Sequence, residues 1–378
     1  MIFWFVINHT THRLRKHTEA NTAAKVIKKS LMVAICFKSF AKMLFLCPEK
    51  EMKAQMSETR TTVQAIINPI SGVGSKRKIP KMIQEMCQEK GYALTISFTQ
   101  YPGHASELTH QAIEEGVNII IAVGGDGTVN EIARAMIHAE ATLGIIPKGS
   151  GNGLARELHI PMDPRRALDL IAEGHASTID CCQANGKVFF CTCGVGFDAA
   201  VSQKFANEPR RGSLTYIKNT IEEYLSYQPE PYELLVDNQT IKERAFLVAC
   251  ANASQYGNNA FIAPHANVQD GQMDVTILSP FTPLDIAPLA IQLFTKQIDR
   301  NSKIKTMQAH QATIIRQHPG VMHLDGEPVM ADSRIEISMD PKALRVFTPA
   351  VVSFTKEVHH LFEEVTHFFD RRLPYIFR

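Results

Sequence analysis

Gly124-Gly125-Asp126-Gly127-Thr128 follows the apolar run Asn118–Val123 and precedes a helical pattern from Val129 to His138. Glycines at a strand-to-helix turn let the backbone approach a ligand without a Cβ in the way. The N–H groups of the first helical turn then point at negative charge. An acid inside such a loop sits uneasily beside phosphates unless a cation accompanies them, and a carboxylate holding Mg²⁺ would resolve that. The alternative is a tight turn with Asp126 as a helix cap. Pro147-Lys148-Gly149-Ser150-Gly151-Asn152-Gly153 repeats the arrangement after another strand and before a helix at Leu154–Leu158. Ser150 can donate to a phosphate and Lys148 can add charge. Taken alone, this second loop also reads as a surface loop.

Asn68-Pro69-Ile70-Ser71-Gly72 makes a third turn at the end of a strand, on the same side of the implied sheet. The chain lacks GxxxxGK[ST], which excludes a P-loop NTPase. Gly194-Val195-Gly196-Phe197-Asp198-Ala199 fits GxGxxA but lies outside the early α/β region, where a dinucleotide fingerprint belongs. Downstream, His323-Leu324-Asp325-Gly326-Glu327-Pro328 holds an Asp-Gly turn that fixes Glu327 at a strand end. A carboxylate there can take a proton from an alcohol, although residue types alone favour a solvated hairpin.

The elements that must position these residues alternate at first. Strands are expected at Val63–Ile67, Ala93–Phe98, Asn118–Val123 and Leu143–Ile146, with helices at Ile79–Lys90, Ala105–Glu115 and Val129–His138. That alternation predicts a doubly wound α/β domain. Afterwards short strands dominate: Lys187–Cys193, Tyr232–Val236, Ala245–Ala251, Met273–Leu278, Ala312–Arg316, Arg334–Met339 and Ala343–Phe347, with helical stretches at Tyr216–Ser226 and Leu284–Thr295. These predict an antiparallel β-sandwich. The tail from Phe354 has apolar residues at helical spacing, which suits packing on the body or a partner, or a membrane-surface helix. The expected organisation is a basic extension over 1–58, an α/β nucleotide domain over 59–182, a sandwich over 183–349 and a C-terminal helix over 350–378.

Composition narrows the class. The 378 residues are 45% hydrophobic with a net charge of +2, which argues against a disordered chain and a dedicated nucleic-acid binder. Residues 1–55 carry ten Lys/Arg against three Asp/Glu and show no steady period. The regular text after Thr62 predicts a translation start at Met56, the alternative being a basic amphipathic anchor around Lys25–Phe45. The eight cysteines have no disulfide-framework spacing and no CxxC pair, so buried, reduced thiols of a cytoplasmic protein are expected. A metal site among Cys181, Cys182, Cys191 and Cys193 would need a hairpin to gather them.

Taken together, IINPISG, GGDGTVNEIARAM, IPKGSGNGLARELHIP, CGVGFDA, DGQMDV and HLDGEP, in this order from about Val63 to Pro349, resemble the diacylglycerol kinase catalytic family of bacterial soluble lipid kinases and sphingosine kinases. GGDGT alone is shared with NAD kinases; GSGNGLAR with a late DGEP is more specific. The resemblance implies a nucleotide domain followed by a β-sandwich, with the site between them. It implies ATP contacts at Asn68, Pro69, Ile70, Ser71, Gly72, Thr99, Gly124, Gly125, Asp126, Gly127, Thr128, Val129, Asn130 and Ser150. It further implies Glu327 as proton acceptor, Asp126 as organiser of catalytic Mg²⁺, and a second Mg²⁺ near Asn267, Asp270 and Gln272.

The implied reaction is in-line phosphoryl transfer from ATP to a lipid hydroxyl, on a protein that meets the membrane peripherally and binds no nucleic acid. A homodimer is compatible. Phosphorylation of a soluble acceptor such as NAD, and a nucleotide-binding module without chemistry, are the competing readings. An apolar cleft for lipid would draw on Phe197, Phe205, Phe261 or Met273, each of which also suits a core.

Overall fold

The structure is a computed structural model that describes residues 60–70, 78–206 and 227–350. The expectations for the first 58 residues, for Ser71 and Gly72, for a helix at Tyr216–Ser226 and for the tail after Phe354 lie outside the described residues.

The first half alternates. Strands β1 (Thr62–Ile67), β2 (Ala93–Phe98), β3 (Ile119–Gly124) and β4 (Thr142–Pro147) form a parallel sheet in the order β2-β1-β3-β4. Every residue of β3 and β4 is buried, as expected of central parallel strands covered on both faces. Helices α1 (Ile79–Lys90), α2 (His104–Glu114), α3 (Asp126–Ala135), α4 (Gly153–Glu157) and α5 (Pro164–Glu173) complete this half. Gly91 ends α1 in the left-handed conformation at φ 71°, and the Tyr92 N–H then returns to the Cys87 carbonyl at 2.8 Å. Asp163 caps α5 by accepting from the N–H groups of Arg165 and Arg166.

The second half is a sandwich. One sheet runs β12 (Ile304–Ala309), β11 (Met273–Leu278), β10 (Leu247–Ala251), β7 (Thr192–Gly196), β14 (Gly320–Leu324), β15 (Glu327–Ala331). The facing antiparallel strands are β5 (Ala176–Ala184), β6 (Lys187–Phe189), β8 (Glu230–Val236), β9 (Gln239–Ala245), β13 (Gln311–Arg316) and β16 (Arg334–Phe347). Val195, Cys250, Val275 and Met322 from the first sheet meet Phe189, Leu234, Ile314 and Ile337 from the second in one core. Helix α6 (Phe197–Ala206) follows β7, and α7 (Ile286–Phe294) follows a 3₁₀ turn over Pro283–Asp285.

The strand β16 joins the two halves. It pairs with β13 at its start and, through Val346 opposite Leu143, runs parallel to β4 at its end. A bulge between Asp340 and Leu344 redirects it, and the buried Asp180 carboxylate accepts the Lys342 N–H there at 2.6 Å. The two strands expected at Arg334–Met339 and Ala343–Phe347 are therefore one. The expected strand Lys187–Cys193 is two, β6 and β7, separated at Phe190-Cys191. Strands β5, β9 and β12 and helices α5 and α6 were not anticipated from sequence.

All six described cysteines are buried and unpaired. Burial pushes their thiols up, Cys181 and Cys250 to about 12. No group of three or more His, Cys, Asp or Glu side chains is gathered for a metal among the described residues.

Candidate functional site

The residues expected to contact nucleotide lie at the carboxyl ends of the parallel strands. Asn68 follows β1, Thr99 follows β2, Gly124 ends β3 and Ser150 lies three residues beyond β4. The Asn68 N–H donates to the Val123 carbonyl at 3.0 Å, and its side-chain amide donates to Thr128 Oγ1 at 2.9 Å. The Ile70 N–H donates to Asn68 Oδ1, while Thr99 N–H donates to the Ile67 carbonyl at 3.0 Å. Pro69 and Ile70 are exposed, whereas Thr128, Val129 and Asn130 are buried in the first turns of α3.

The two glycine loops touch backbone to backbone. A Cβ on Gly149 would stand 2.6 Å from Gly125 Cα, and one on Gly151 would stand 2.8 Å from Asp126 Oδ2. Only glycine fits there. Asp126 opens α3, yet its carboxylate reaches across to the other loop. Oδ2 accepts the Asn152 N–H at 2.8 Å and Oδ1 accepts the Gly153 N–H at 2.6 Å. Asp126 thus caps a helix, but α4 rather than its own. Asn152, which sequence reading passed over, takes φ 53° and ties the loop to itself, accepting from the Gly149 N–H and donating to the Gly149 carbonyl. An Asn at the residue before a helix was the available signal.

Glu327 arrives from the sandwich. Asp325 and Gly326 have φ 52° and 83°, the two left-handed residues of a type I′ turn between β14 and β15. Glu327 Oε1 lies 3.3 Å from where a Cβ on Gly127 would be, so its carboxylate rests on the first turn of α3. Its other oxygen is 3.8 Å from Arg134 Nη1. Burial raises the Glu327 carboxyl above its ordinary value; Arg134 pulls it down, and Asp325, Glu131 and Asp126 push it up.

Asp325 is a residue the sequence marked only as a turn former. Its Oδ1 accepts the N–H groups of Cys191 and Thr192 at 2.7 and 3.0 Å. Its Oδ2 accepts the Phe190 N–H at 3.0 Å and the Asn130 side-chain amide at 3.2 Å. Burial raises its pKa in spite of those bonds. Behind the turn, buried His323 pairs with Asp198 at 3.0 Å, and Asp198 also accepts from the Tyr256 hydroxyl at 3.0 Å. A Cβ on Gly194 would collide with both Asp198 Oδ2 and His323 Nε2, which explains that glycine without any dinucleotide.

Asn267, Asp270 and Gln272 share one exposed turn. The Asp270 N–H donates to the Asn267 carbonyl at 3.3 Å, and Asp270 Oδ1 accepts the Gln272 N–H at 3.0 Å. The next N–H, that of Gly271, is held by Asp180 at 2.8 Å. Buried Asp274 is pushed up to about 6, first by burial and then by the charge of Asp270. A hard cation beside Asp270 would relieve that crowding, and the donor oxygens suit Mg²⁺. Of the aromatic and Met candidates for a lipid cleft, Met273 is sandwich core, and Phe197 packs against the cluster around Phe246 and Leu247.

The diacylglycerol kinase catalytic domain matches residues 62–184, and the YegS C-terminal NAD kinase beta sandwich-like domain matches 191–348. The chain thus carries a diacylglycerol kinase catalytic domain followed by a YegS-type C-terminal domain. It is 29% identical over 271 residues to the lipid kinase YegS of Escherichia coli, covering 70% of this chain and 89% of that one. It is 28% identical over 269 residues to a probable lipid kinase YegS-like of Enterobacter, covering 69% and 88%. A putative diacylglycerol kinase from Bacillus anthracis shares the fold at TM-score 0.65 and 23% identity, over 78% of this chain and 99% of that structure. The matched catalytic domain and the names of these relatives support a kinase, and no described helix is long and apolar enough to cross a membrane.

Proposed function

We propose that the protein transfers the γ-phosphoryl group of ATP to the hydroxyl of a membrane lipid, with the protein held at the membrane surface. The observation that carries this reading is the Glu327 carboxylate resting on Gly127, at the first turn of the helix that Asp126 opens. A general base from one lobe is thereby set against an anion-binding helix terminus of the other.

In this reading the ATP phosphates lie along Gly124–Asn130, Asn68–Gly72, Thr99 and Ser150. Glu327 accepts the proton of the lipid hydroxyl as the lipid oxygen forms its bond to the γ-phosphorus. The bond from that phosphorus to the bridging oxygen breaks and ADP leaves with the electron pair. The first-turn N–H groups of α3 face the charge that develops on the transferring group. Asp126 would hold Mg²⁺, which supplies charge neutralisation at the phosphates. Asp270, with the Asn267 and Gln272 carbonyls, would hold a second ion that orders its turn. The raised carboxyl of Glu327 brings a proton acceptor closer to neutral pH, where a general base works best.

The test is acceptor-dependent ADP release with Mg-ATP and mixed micelles of several lipid alcohols, with NAD in a parallel reaction. Turnover on a lipid that vanishes in Asp126→Asn and in Glu327→Gln, both still melting cooperatively, is the expected result. Near-normal activity in either folded variant removes that residue from its role. Turnover on NAD alone overturns the lipid reading.

A further inference from the structure

Helix α7 lies over a cluster that includes Phe246, Leu247, Ile262, Leu278 and Ile298. A helix on a soluble surface usually turns an apolar stripe inward and charge outward. The sequence of α7, IAPLAIQLF, contains no charged residue, and only Leu289 is buried. Leu284 in the preceding turn is 88% exposed, and Ile291 and Phe294 are 64% and 58% exposed. Large apolar side chains gathered this way on a surface mark a contact with something apolar.

Charge identifies what that is. The two acids nearest α7 in sequence are engaged. Asp285 accepts from the Thr282 N–H and hydroxyl at 2.8 and 2.9 Å, and Asp299 pairs with His265 at 3.3 Å. Lys296, Arg300 and Lys303 follow the helix, with the Lys296 ammonium 5.4 Å from the centre of the Phe261 ring. An uncharged apolar helix followed by cations is the pattern of a segment that lies in the bilayer interface against anionic headgroups. We propose that α7 and its leading turn dock this protein on an anionic lipid bilayer, an assignment that rests on the lipid-kinase reading above. The docking helix is tied to the site. The Phe261 N–H donates to the Leu293 carbonyl at 2.9 Å. In the same loop, Tyr256 bonds Asp198, the partner of His323 at the base of the Asp325-Gly326 turn.

The experiment uses the full chain and two vesicle populations, phosphatidylcholine alone and phosphatidylcholine with phosphatidylglycerol. Sedimentation should show binding that favours the anionic vesicles. Ile291→Ser with Phe294→Ser should reduce partitioning by roughly tenfold or more, since each loses the burial of a large apolar side chain. Arg300→Ala with Lys303→Ala should remove the preference for phosphatidylglycerol. Turnover of the apolar double variant should fall on vesicle-embedded acceptor and persist on a short-chain acceptor dispersed in solution. Should that variant fold poorly, Phe294→Trp gives a second readout. Its emission, above the Trp4 background of the parent chain, should be quenched by brominated phosphatidylcholine.

Vesicle binding unchanged by the apolar double substitution, or no quenching of the introduced Trp, overturns the proposal. So does light scattering that shows the patch joining two copies of the chain without vesicles. Sedimentation needs no turnover, so failure of docking is read separately from failure to phosphorylate any lipid.

Discussion

Substitution of Gly149 by Ala tests the contact on which the two-loop site depends. The added Cβ would sit 2.6 Å from Gly125 Cα and 2.8 Å from Asn152 Oδ1. Ordinary contact begins near 3.4 Å, so the loops must part by about 0.8 Å. The obstacle on one side is backbone, which cannot rotate away as a flexible side chain can. Parting the loops also pulls Asn152 and Gly153 from the Asp126 carboxylate they hold. A misplacement approaching 1 Å at a reacting centre costs about a hundredfold in rate. The same strain should lower stability by about 1–3 kcal/mol, as overpacking does. The assay pairs urea unfolding with initial rates of ADP release. Gly320→Ala is the control, because its Cβ would meet only the Arg316 side chain, at 3.3 Å. Rates for Gly149→Ala within a factor of about two of the parent, outside the range this displacement predicts, would refute the claim that the loops act as one unit.

Three further outcomes follow from the same geometry. Arg134→Met removes the cation that lowers the Glu327 carboxyl and leaves burial and three acids raising it. Since the base must be ionised, the acid limb of the pH–rate profile should move to higher pH; an unmoved limb would separate Glu327 from that limb. Asp325→Asn keeps the shape of the side chain but turns an amide donor toward N–H groups that the carboxylate accepts. Leaving one or two buried donors unpaired should cost about 2–4 kcal/mol in urea unfolding, and a loss below about 1 kcal/mol would contradict the clamp. Without nucleotide, Mg²⁺ should raise the melting temperature of the parent chain and of Asp126→Asn but not of Asp270→Asn; equal shifts in all three would remove Asp270 as a ligand.

Much of the site was legible because its chemistry is carried by local backbone rules. Glycines after buried strands and an Asp-Gly turn dictate conformation within a few residues, so Gly124–Thr128, Gly149–Gly153 and Glu327 could be placed on their elements. What escaped was non-local. Asp325 reads as a turn former until the fold brings the Phe190–Thr192 backbone to it. The strand β9, QTIKERA, buries only Ala245 and otherwise has Ile241 as its one apolar residue, so its period is hidden by its edge position. The strand β16 looked like two because Asp340-Pro341-Lys342 reads as a break, whereas it is a bulge held by Asp180. Helix α5 had every local signal: an Asp cap, Pro at its start and Gly at its end.

The placement of Glu327 also bears on how the two lobes move. A base brought in by domain closure needs an interface that can separate. Here Asn130 in α3 donates to Asp325, and Arg134 in the same helix donates to the Val188 carbonyl at 3.0 Å while lying beside Glu327. The strand β16 continues one hydrogen-bonded sheet from the sandwich into the parallel strands. Phe190, Cys191 and Val268 pack into the same core as Ile121 and Ile146. Opening a hinge between the lobes would break these contacts together, including those of a buried carboxylate. Under the proposed function, Glu327 would therefore stand in place before substrate arrives, and ATP and acceptor would enter a site whose walls are already joined. This follows from one residue serving both purposes: the turn that presents Glu327 is the turn whose Asp325 fastens the sandwich to α3.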